Sequence, residues 1–262
     1  MIHEKFEETV TVVSQEQVGT DIYSMRLRAE QIAAHAKAGQ FVSLYSEDQS
    51  RLLPRPISIC EIAPERGEIR LVYRVAGEGT KEFAKLRPGA RRRAVGPLGN
   101  GFPKEQKKAL LIGGGIGIPP MLALAKELNC GKQVVLGYRN ELFLLEDFRE
   151  LFGDAADESV YIATEDGSAG TRGNVLDVIR ERKLTADVIY ACGPAPMLRA
   201  LKDYAAGQNI PCWISMEERM ACGIGACLAC VCKSKDVDAH SNVKNKRVCA
   251  EGPVFLAEEV EF

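Results

Sequence analysis

A chain of 262 residues is long enough for two domains of ordinary size and a small appendage. Its apolar content of 46% is that of a globular protein, and 34 basic against 36 acidic residues leave no general attraction to nucleic acid or an anionic membrane. Nine cysteines, an odd number without paired secretory spacing, point to reduced thiols and metal ligation in the cytoplasm rather than to disulfides. The N-terminal MIHEKFEETV holds no apolar run, so neither a signal peptide nor a membrane span is expected there.

The first hundred residues read as short strands with turn punctuation. Residues 8–18 are rich in Thr and Val, 21–29 alternate, and 39–46, 57–63 and 68–75 continue the series. Strands this closely spaced predict a small antiparallel barrel rather than a parallel sheet. A short helix is expected from Thr80 through Phe83 to Leu86, before the Pro88-Gly89 break.

The rhythm changes near Lys107. An apolar run over 109–112 ends in glycines, and Met121, Leu124, Ala125 and Leu128 then mark one helical face, with Pro119-Pro120 at its start and Gly131 beyond its end. Strand patterns at 133–138, 159–164, 187–192 and 212–216 alternate with helical ones at 145–151, 175–183 and 197–206. Alternating strand and helix predicts a doubly wound parallel sheet. After Glu218 the chain is rich in Cys and Gly and reads as irregular.

The glycine run Gly113-Gly114-Gly115-Ile116-Gly117-Ile118-Pro119 sits between a strand and a helix, where glycines let a pyrophosphate approach the backbone and the helix N-terminus. It departs from the dinucleotide fingerprint G-x-G-x-x-G, because Ile118 takes the last glycine's place, and no acidic residue follows the next strand at Gly137-Tyr138-Arg139. A tight turn packing a helix on a sheet needs the same glycines, so the run alone decides nothing.

Near the C-terminus, Cys222, Cys227 and Cys230 are spaced C-x4-C-x2-C, and Cys249 follows after a gap of 18 residues. This is the spacing of a plant-type 2Fe-2S cluster, in which a tight loop supplies three thiolates and a distant segment the fourth. Gly223, Gly225 and Ala226 let the loop fold closely, with N–H groups aimed at sulfur. The alternatives are unrelated core thiols or zinc, but zinc sites usually pair two short C-x2-C units and only one is present. Cys232 lies outside the spacing and reads as a spare thiol, and Cys60, Cys130 and Cys212 read as core residues. His3, His35 and His240 stand among polar neighbours and read as surface residues, and no nucleophile–base arrangement is evident.

Three further segments join the glycine run: Arg55-Pro56-Ile57-Ser58, Gly79-Thr80 and Cys192-Gly193-Pro194-Ala195-Pro196-Met197. Together they resemble the ferredoxin–NADP reductase superfamily, a flavin barrel followed by a nicotinamide domain. The cysteine segment narrows the resemblance to the electron-transfer subunits of bacterial NAD-dependent dihydroorotate dehydrogenase. Arg219-Met220-Ala221, Gly96-Pro97-Leu98-Gly99 and Thr164-Glu165-Asp166-Gly167-Ser168 agree with it, and it covers essentially the whole chain.

The resemblance implies an antiparallel β-barrel binding FAD over 1–103, an α/β doubly wound parallel-sheet NAD domain over 104–218 and a small irregular 2Fe-2S lobe over 219–262. Arg55 would grip the phosphates of FAD with its planar fork, Pro56 and Ile57 shape the strand, and Ser58 offers a hydroxyl near the reactive nitrogen. Val72, Tyr73 and Arg74 would line the flavin site, although Tyr73 reads equally as a core aromatic and Arg55 as a surface ion-pair partner. Gly79 and Thr80 would set helix-start N–H groups on the pyrophosphate, and Gly115 and Gly117 would lie under the phosphates of NAD. Cys192 and Gly193 would shape the meeting place of nicotinamide and flavin, with Cys192 more a packing thiol than a reactive one. The cluster ligands would be Cys222, Cys227, Cys230 and Cys249. Glu165 and Asp166, standing where NADP-selective relatives receive the 2′-phosphate, predict a preference for NAD by charge repulsion, the other reading being an acidic pair that simply points into solvent from its loop.

The implied partner is an FMN-containing dihydroorotate dehydrogenase catalytic subunit, in a two-plus-two heterotetramer of the cytoplasm serving pyrimidine biosynthesis. Electrons would cross the cluster singly to FAD and leave as hydride on NAD. A different reading with the same cofactors is an NADH-dependent reductase of a ferredoxin or sulfur compound. Another is a non-enzymatic iron–sulfur sensor, against which the intact Arg55, Ser58, Gly79 and Gly117 argue.

Overall fold

A computed structural model describes residues 4–48, 50–238 and 242–262. The chain begins with β1 (Phe6–Gly19), β2 (Ile22–Arg28), the short helix α1 (Glu30–His35), β3 (Phe41–Leu44), β4 (Arg55–Ala63), β5 (Glu68–Arg74), the helix α2 (Glu78–Phe83) and β6 (Arg91–Leu98). The six strands close into a barrel in the order β1-β2-β5-β4-β3-β6, each neighbour antiparallel. Alternation fills its interior with Val10, Met25, Leu27, Ile59, Ile69 and Leu71, and Phe83 of α2 is fully buried against them.

The sixth strand is absent from the strand series expected of the sequence. Arg91-Arg92-Arg93 opens it, and three consecutive charges hide its alternation. Arg92 is nevertheless held, by Glu47 at 3.1 Å and Glu82 at 3.4 Å, while the backbone pairs with β1 and β3. The helix α2 starts two residues ahead of expectation, at Glu78, and α1 was not expected.

The second sheet is built from β7 (Ala109–Gly114), α3 (Ile118–Glu127), β8 (Lys132–Tyr138), α4 (Leu145–Phe152), α5 (Ala156–Ser159), β9 (Val160–Thr164), β10 (Thr171–Arg172), α6 (Val175–Glu181), β11 (Val188–Cys192), α7 (Ala195–Gln208) and β12 (Cys212–Ser215). Its strands run parallel in the order β10-β9-β8-β7-β11-β12. Leu110, Ile112, Ile189 and Ala191 face α6 and α7, whereas Leu111, Val134, Val188 and Tyr190 face α3 and α4. Both faces are therefore covered, which is why these strands are apolar almost throughout. Asn174 starts α6 with a capping box: its side chain accepts the Leu176 N–H at 2.9 Å, and Asp177 accepts the Asn174 N–H at 2.9 Å.

The cysteine-rich segment is less irregular than its composition predicts. It contains β13 (Val231–Ser234), β14 (Asn245–Arg247), β15 (Val254–Leu256) and β16 (Val260–Glu261). A small antiparallel sheet forms in the order β14-β13-β16, and β15 leaves it to pair antiparallel with β12 at the edge of the second sheet.

The barrel and the second sheet share one apolar cluster, in which Ile22, Cys60 and Val72 meet Ile118, Met121 and Leu122. Polar contacts ring it. The Ala38 N–H donates to Glu127 Oε1 at 2.9 Å, Lys126 pairs with Glu61 at 3.2 Å, and the Thr20 N–H reaches the Glu141 carboxylate at 2.9 Å. Arg70, 6% exposed, donates to Ser24 Oγ at 2.9 Å and to Asp147. Burying an arginine requires such partners. Among the described residues no helix is long and apolar enough to cross a membrane.

Candidate functional site

Strands β4 and β5 pair from Ala63↔Glu68 only as far as Ile59↔Leu71. Beyond that point Arg55, Pro56, Ile57 and Ser58 stay bonded to β3, and Val72, Tyr73 and Arg74 stay bonded to β2. The barrel wall splits between the two predicted segments and leaves facing strand edges for a planar ligand to occupy. Alternation decides which side chains border the split. Ile57 and Tyr73 point into the barrel core, Val72 belongs to the cluster outside it, Pro56 and Arg74 are exposed, and Ser58 is half-buried.

The side chain of Tyr73 packs in the barrel core. Its ring lies edge-on to Phe83 at 6.3 Å, and its hydroxyl donates to Gln15 Oε1 at 3.2 Å. Burial raises its pKa, and only its backbone borders the split. The side chain of Ile57 likewise does not reach the opening.

Arg55 and Gly79 meet directly. A Cβ on Gly79 would stand 2.4 Å from Arg55 Nε, so the missing side chain lets the guanidinium lie across the start of α2. Arg55 also donates to the Leu53 carbonyl. Thr80 secures the turn before the helix: its hydroxyl accepts the Ala76 N–H at 2.9 Å and donates to the Gly77 carbonyl at 2.9 Å. The first N–H groups of the helix have no intrahelical acceptor and, beside the arginine fork, suit a phosphate group.

The glycine run and the Cys192-Gly193 turn lie at the carboxyl ends of the neighbouring parallel strands β7 and β11, with Gly113 in register with Cys192. Strand order reverses at this place, since the chain passes from β7 to β8 on one side and places β11 on the other. Such a switch point is where open α/β sheets receive ligands. A Cβ on Gly117 would come 2.3 Å from the Cys192 carbonyl oxygen, and one on Gly193 would come 3.1 Å from Gly114 Cα. Gly115 has a left-handed φ of +52° with open space around it. Strand β5 lies against the Gly115–Gly117 turn, so the split in the barrel and the crevice of the sheet adjoin.

Burial pushes the Cys192 thiol up to about 12, against a hydrogen bond with Ser215 on the neighbouring strand. It is a neutral packing group at physiological pH. Glu165 and Asp166 are exposed just past the end of β9. Asp166 accepts the Ser168 hydroxyl at 2.7 Å and the Ser168 N–H at 2.9 Å, and these bonds hold its carboxyl below the usual range.

The four cysteines of the spaced motif converge as two pairs. The Cys222 N–H points at Cys227 Sγ at 3.5 Å, and the Cys249 N–H points at Cys230 Sγ at 3.4 Å. The N–H groups of Ile224 and Ala226 approach Cys222 Sγ at 3.5 and 3.3 Å. Burial opposes ionisation of Cys222, but the Ile224 N–H, the Cys227 side chain and the other N–H groups prevail and bring its thiol down to about 6. Two thiolates for each of two irons is the demand of a 2Fe-2S cluster, whereas structural zinc takes four ligands at one point.

Gly223, with φ +69°, brings the cysteine loop onto the barrel: a Cβ there would stand 2.9 Å from Ser43 Oγ and 3.4 Å from Leu98 Cδ1. Ser43 is the register partner of Pro56. The thiol site is therefore one strand away from the split. Sequence reasoning passed over Ser43, which carries no local signal, and Arg247, whose only signal is its place two residues before Cys249.

The remaining thiols are remote in character. Cys232 is buried in β13 and pushed up to about 11 by burial, with Glu218 and Lys246 as its charged neighbours. Cys60 and Cys212 are buried and raised to about 12 by desolvation, and Cys130 is half-buried rather than in the core. His35 is exposed, its Nδ1 2.8 Å from the Gln31 carbonyl; His3 and His240 lie outside the described residues.

Three family models match the chain: an oxidoreductase FAD-binding domain over residues 9–102, an oxidoreductase NAD-binding domain over 111–203, and the iron-sulfur cluster binding domain of dihydroorotate dehydrogenase B over 217–261. The chain is 43% identical to the dihydroorotate dehydrogenase B (NAD(+)) electron transfer subunit of Geobacillus thermodenitrificans (strain NG80-2), covering 97% of this chain and 98% of the relative. It is 44% identical to the subunit of the same name from Bacillus pumilus (strain SAFR-032), covering 96% of each. Among solved structures, a chain from that of an NADH-dependent reduced ferredoxin-NADP oxidoreductase superposes with a TM-score of 0.84 at 28% identity, over 96% of this chain and 89% of the other.

Proposed function

Because the chain belongs to the family of dihydroorotate dehydrogenase B electron transfer subunits, we propose that it carries electrons from a dihydroorotate-oxidising catalytic subunit to NAD in pyrimidine biosynthesis. It is an oxidoreductase component with FAD-, NAD- and iron–sulfur-binding domains. The cluster supplies single-electron transfer and FAD the conversion of single electrons to hydride, which NAD requires.

The observation that carries this reading is the adjacency of the three sites. Gly223 of the cysteine loop touches Ser43, Ser43 pairs with Pro56 at the split in the barrel, and β5 on the far side of the split lies against the Gly115–Gly117 turn. In this reading Cys222, Cys227, Cys230 and Cys249 hold the cluster. Arg55, with Gly79 and Thr80, receives the pyrophosphate of FAD, while Pro56, Ser58, Val72 and Arg74 border its ring. Gly115 and Gly117 admit the phosphates of NAD, and Cys192 and Gly193 form the wall beside the nicotinamide. Face-to-face placement of two rings transfers hydride without a side-chain acid, which suits a site whose nearest thiol is neutral.

Replacing Arg55 by Ala is expected to weaken FAD at least about tenfold, the loss of a charge-assisted hydrogen bond of about 1.5–3 kcal/mol. Flavin fluorescence during dilution of the holoprotein measures it. Unchanged affinity would remove Arg55 from the phosphate site.

The partner is an FMN-containing catalytic subunit, in a two-plus-two assembly in the cytoplasm. The chain alone is expected to reduce dyes with NADH and to leave dihydroorotate untouched. Adding the catalytic subunit should establish dihydroorotate-to-NAD transfer. Oxidation of dihydroorotate by the isolated chain, or no transfer in the complex, would overturn the division of roles.

A further inference from the structure

Arg247 and Glu251 stand two residues to either side of Cys249. Arg247 Nη1 donates to the Gly225 carbonyl at 2.9 Å, reaching from the segment of the fourth cysteine into the loop of the first three. Its Nε donates to Glu251 Oε2 at 3.0 Å, its Nη2 to Glu251 Oε1, and its backbone N–H to Glu251 Oε2 at 2.6 Å. The two side chains are 17% and 30% exposed, too enclosed for an ordinary surface ion pair. Gly225 sits between the two loop residues whose N–H groups approach Cys222 Sγ, Ile224 at 3.5 Å and Ala226 at 3.3 Å. Gly225 itself has a φ of +90°, and a Cβ there would meet the Ala250 methyl at 2.9 Å. The loop and the fourth-cysteine segment are thus pressed together at this residue, with one guanidinium holding them.

We propose that Arg247 is a positioning residue of the iron–sulfur site: it fastens the Gly225 peptide so that the two cysteine-bearing segments keep one geometry, and Glu251 balances its charge. The proposal rests on assigning Cys222, Cys227, Cys230 and Cys249 to a two-iron cluster. A bidentate arginine–carboxylate pair has fixed geometry as well as charge, so it suits a splint between two segments. Because the pair is neutral as a whole, losing either member leaves an uncompensated charge beside the cluster. A positive residue favours the more negative reduced form, and a negative residue the oxidised form.

The test uses the full-length holoprotein and three variants, Arg247→Ala, Arg247→Gln and Glu251→Gln. Iron and sulfide content of the wild type comes first; a wild type without cluster defeats the ligand assignment itself. With cluster present, two readouts follow: release of iron to a chelator, and a redox titration followed by the spin signal. Arg247→Ala is expected to release iron at least about tenfold faster, or to be isolated empty. Arg247→Gln keeps an N–H donor for the Gly225 carbonyl and is expected to release iron at close to the wild-type rate. In the titration, Arg247→Gln should shift the ratio of oxidised to reduced cluster about tenfold toward oxidised, ~59 mV for one electron. Glu251→Gln should shift it about as far toward reduced. Wild-type release in Arg247→Ala, an empty but flavin-loaded Arg247→Gln, unshifted potentials, or Gln variants that shift the potential in the same direction would each overturn the proposal.

Discussion

Serine at Cys222, Cys227, Cys230 or Cys249 is expected to abolish or alter the visible absorption of the cluster and its spin signal on reduction, whereas serine at Cys232 leaves both nearly intact. Backbone N–H groups tie the four residues into two pairs, the Cys222 N–H reaching Cys227 Sγ and the Cys249 N–H reaching Cys230 Sγ, with the Ala226 N–H on Cys222 Sγ. A hydroxyl is a harder and far less acidic donor than a thiolate, so one substitution removes a ligand that no neighbour replaces. Cys232 is close to Cys230 in sequence, but its charged neighbours are Glu218 and Lys246, and its thiol is buried and raised to about 11. Iron analysis should fall from about two irons per chain to near none in the four variants. Loss of the cluster in Cys232→Ser with retention in Cys249→Ser would show the ligand set to be wrong.

Alanine at Gly117 is expected to cut NADH-dependent dye reduction by about a hundredfold while leaving bound flavin in place. The added Cβ would stand 2.3 Å from the Cys192 carbonyl oxygen, 2.4 Å from its carbonyl carbon and 2.6 Å from the Gly193 nitrogen. All three are backbone atoms, so no side chain can turn aside. Either the helix α3 or the Cys192-Gly193 turn must move, and these are the two walls of the crevice at the switch point. Displacement by about 1 Å is enough to cost a factor near a hundred in a step that depends on ring placement. The overpacking itself costs about 1–3 kcal/mol of stability. Flavin content reports on the barrel, which Gly117 does not help to build. Wild-type turnover in Gly117→Ala would mean that the crevice is not the nicotinamide site.

The elements legible in the sequence were those whose local pattern and tertiary role agree. The apolar runs of β7, β8 and β11 and the turn residues between barrel strands read directly, because burial on both faces or strict alternation leaves a periodic trace. Strand β6 did not read, since Arg92 and Arg93 obtain their partners from Glu47, Glu82 and Glu7 on other elements of the barrel. Strand β15 did not read either: three residues after Gly252-Pro253 become a strand only because β12 presents a free edge to them. At the site, the cysteine spacing and the glycine run carried their chemistry locally. The split itself did not, because it depends on where β4 and β5 cease to pair. The contact of Gly223 with Ser43, which places the cysteine loop beside the flavin strand, joins residues 180 positions apart and leaves no local trace.

An anaerobic titration of the isolated holoprotein with NADH tests the central claim, that one chain links a nicotinamide site, FAD and a 2Fe-2S cluster. The account predicts uptake of about three electrons per chain, two bleaching the flavin absorption and one producing the spin signal of a reduced cluster. Flavin that bleaches while the cluster remains oxidised, although the cluster titrates at a potential above that of NADH, would contradict the linkage, and protein that binds no FAD after reconstitution would contradict it entirely.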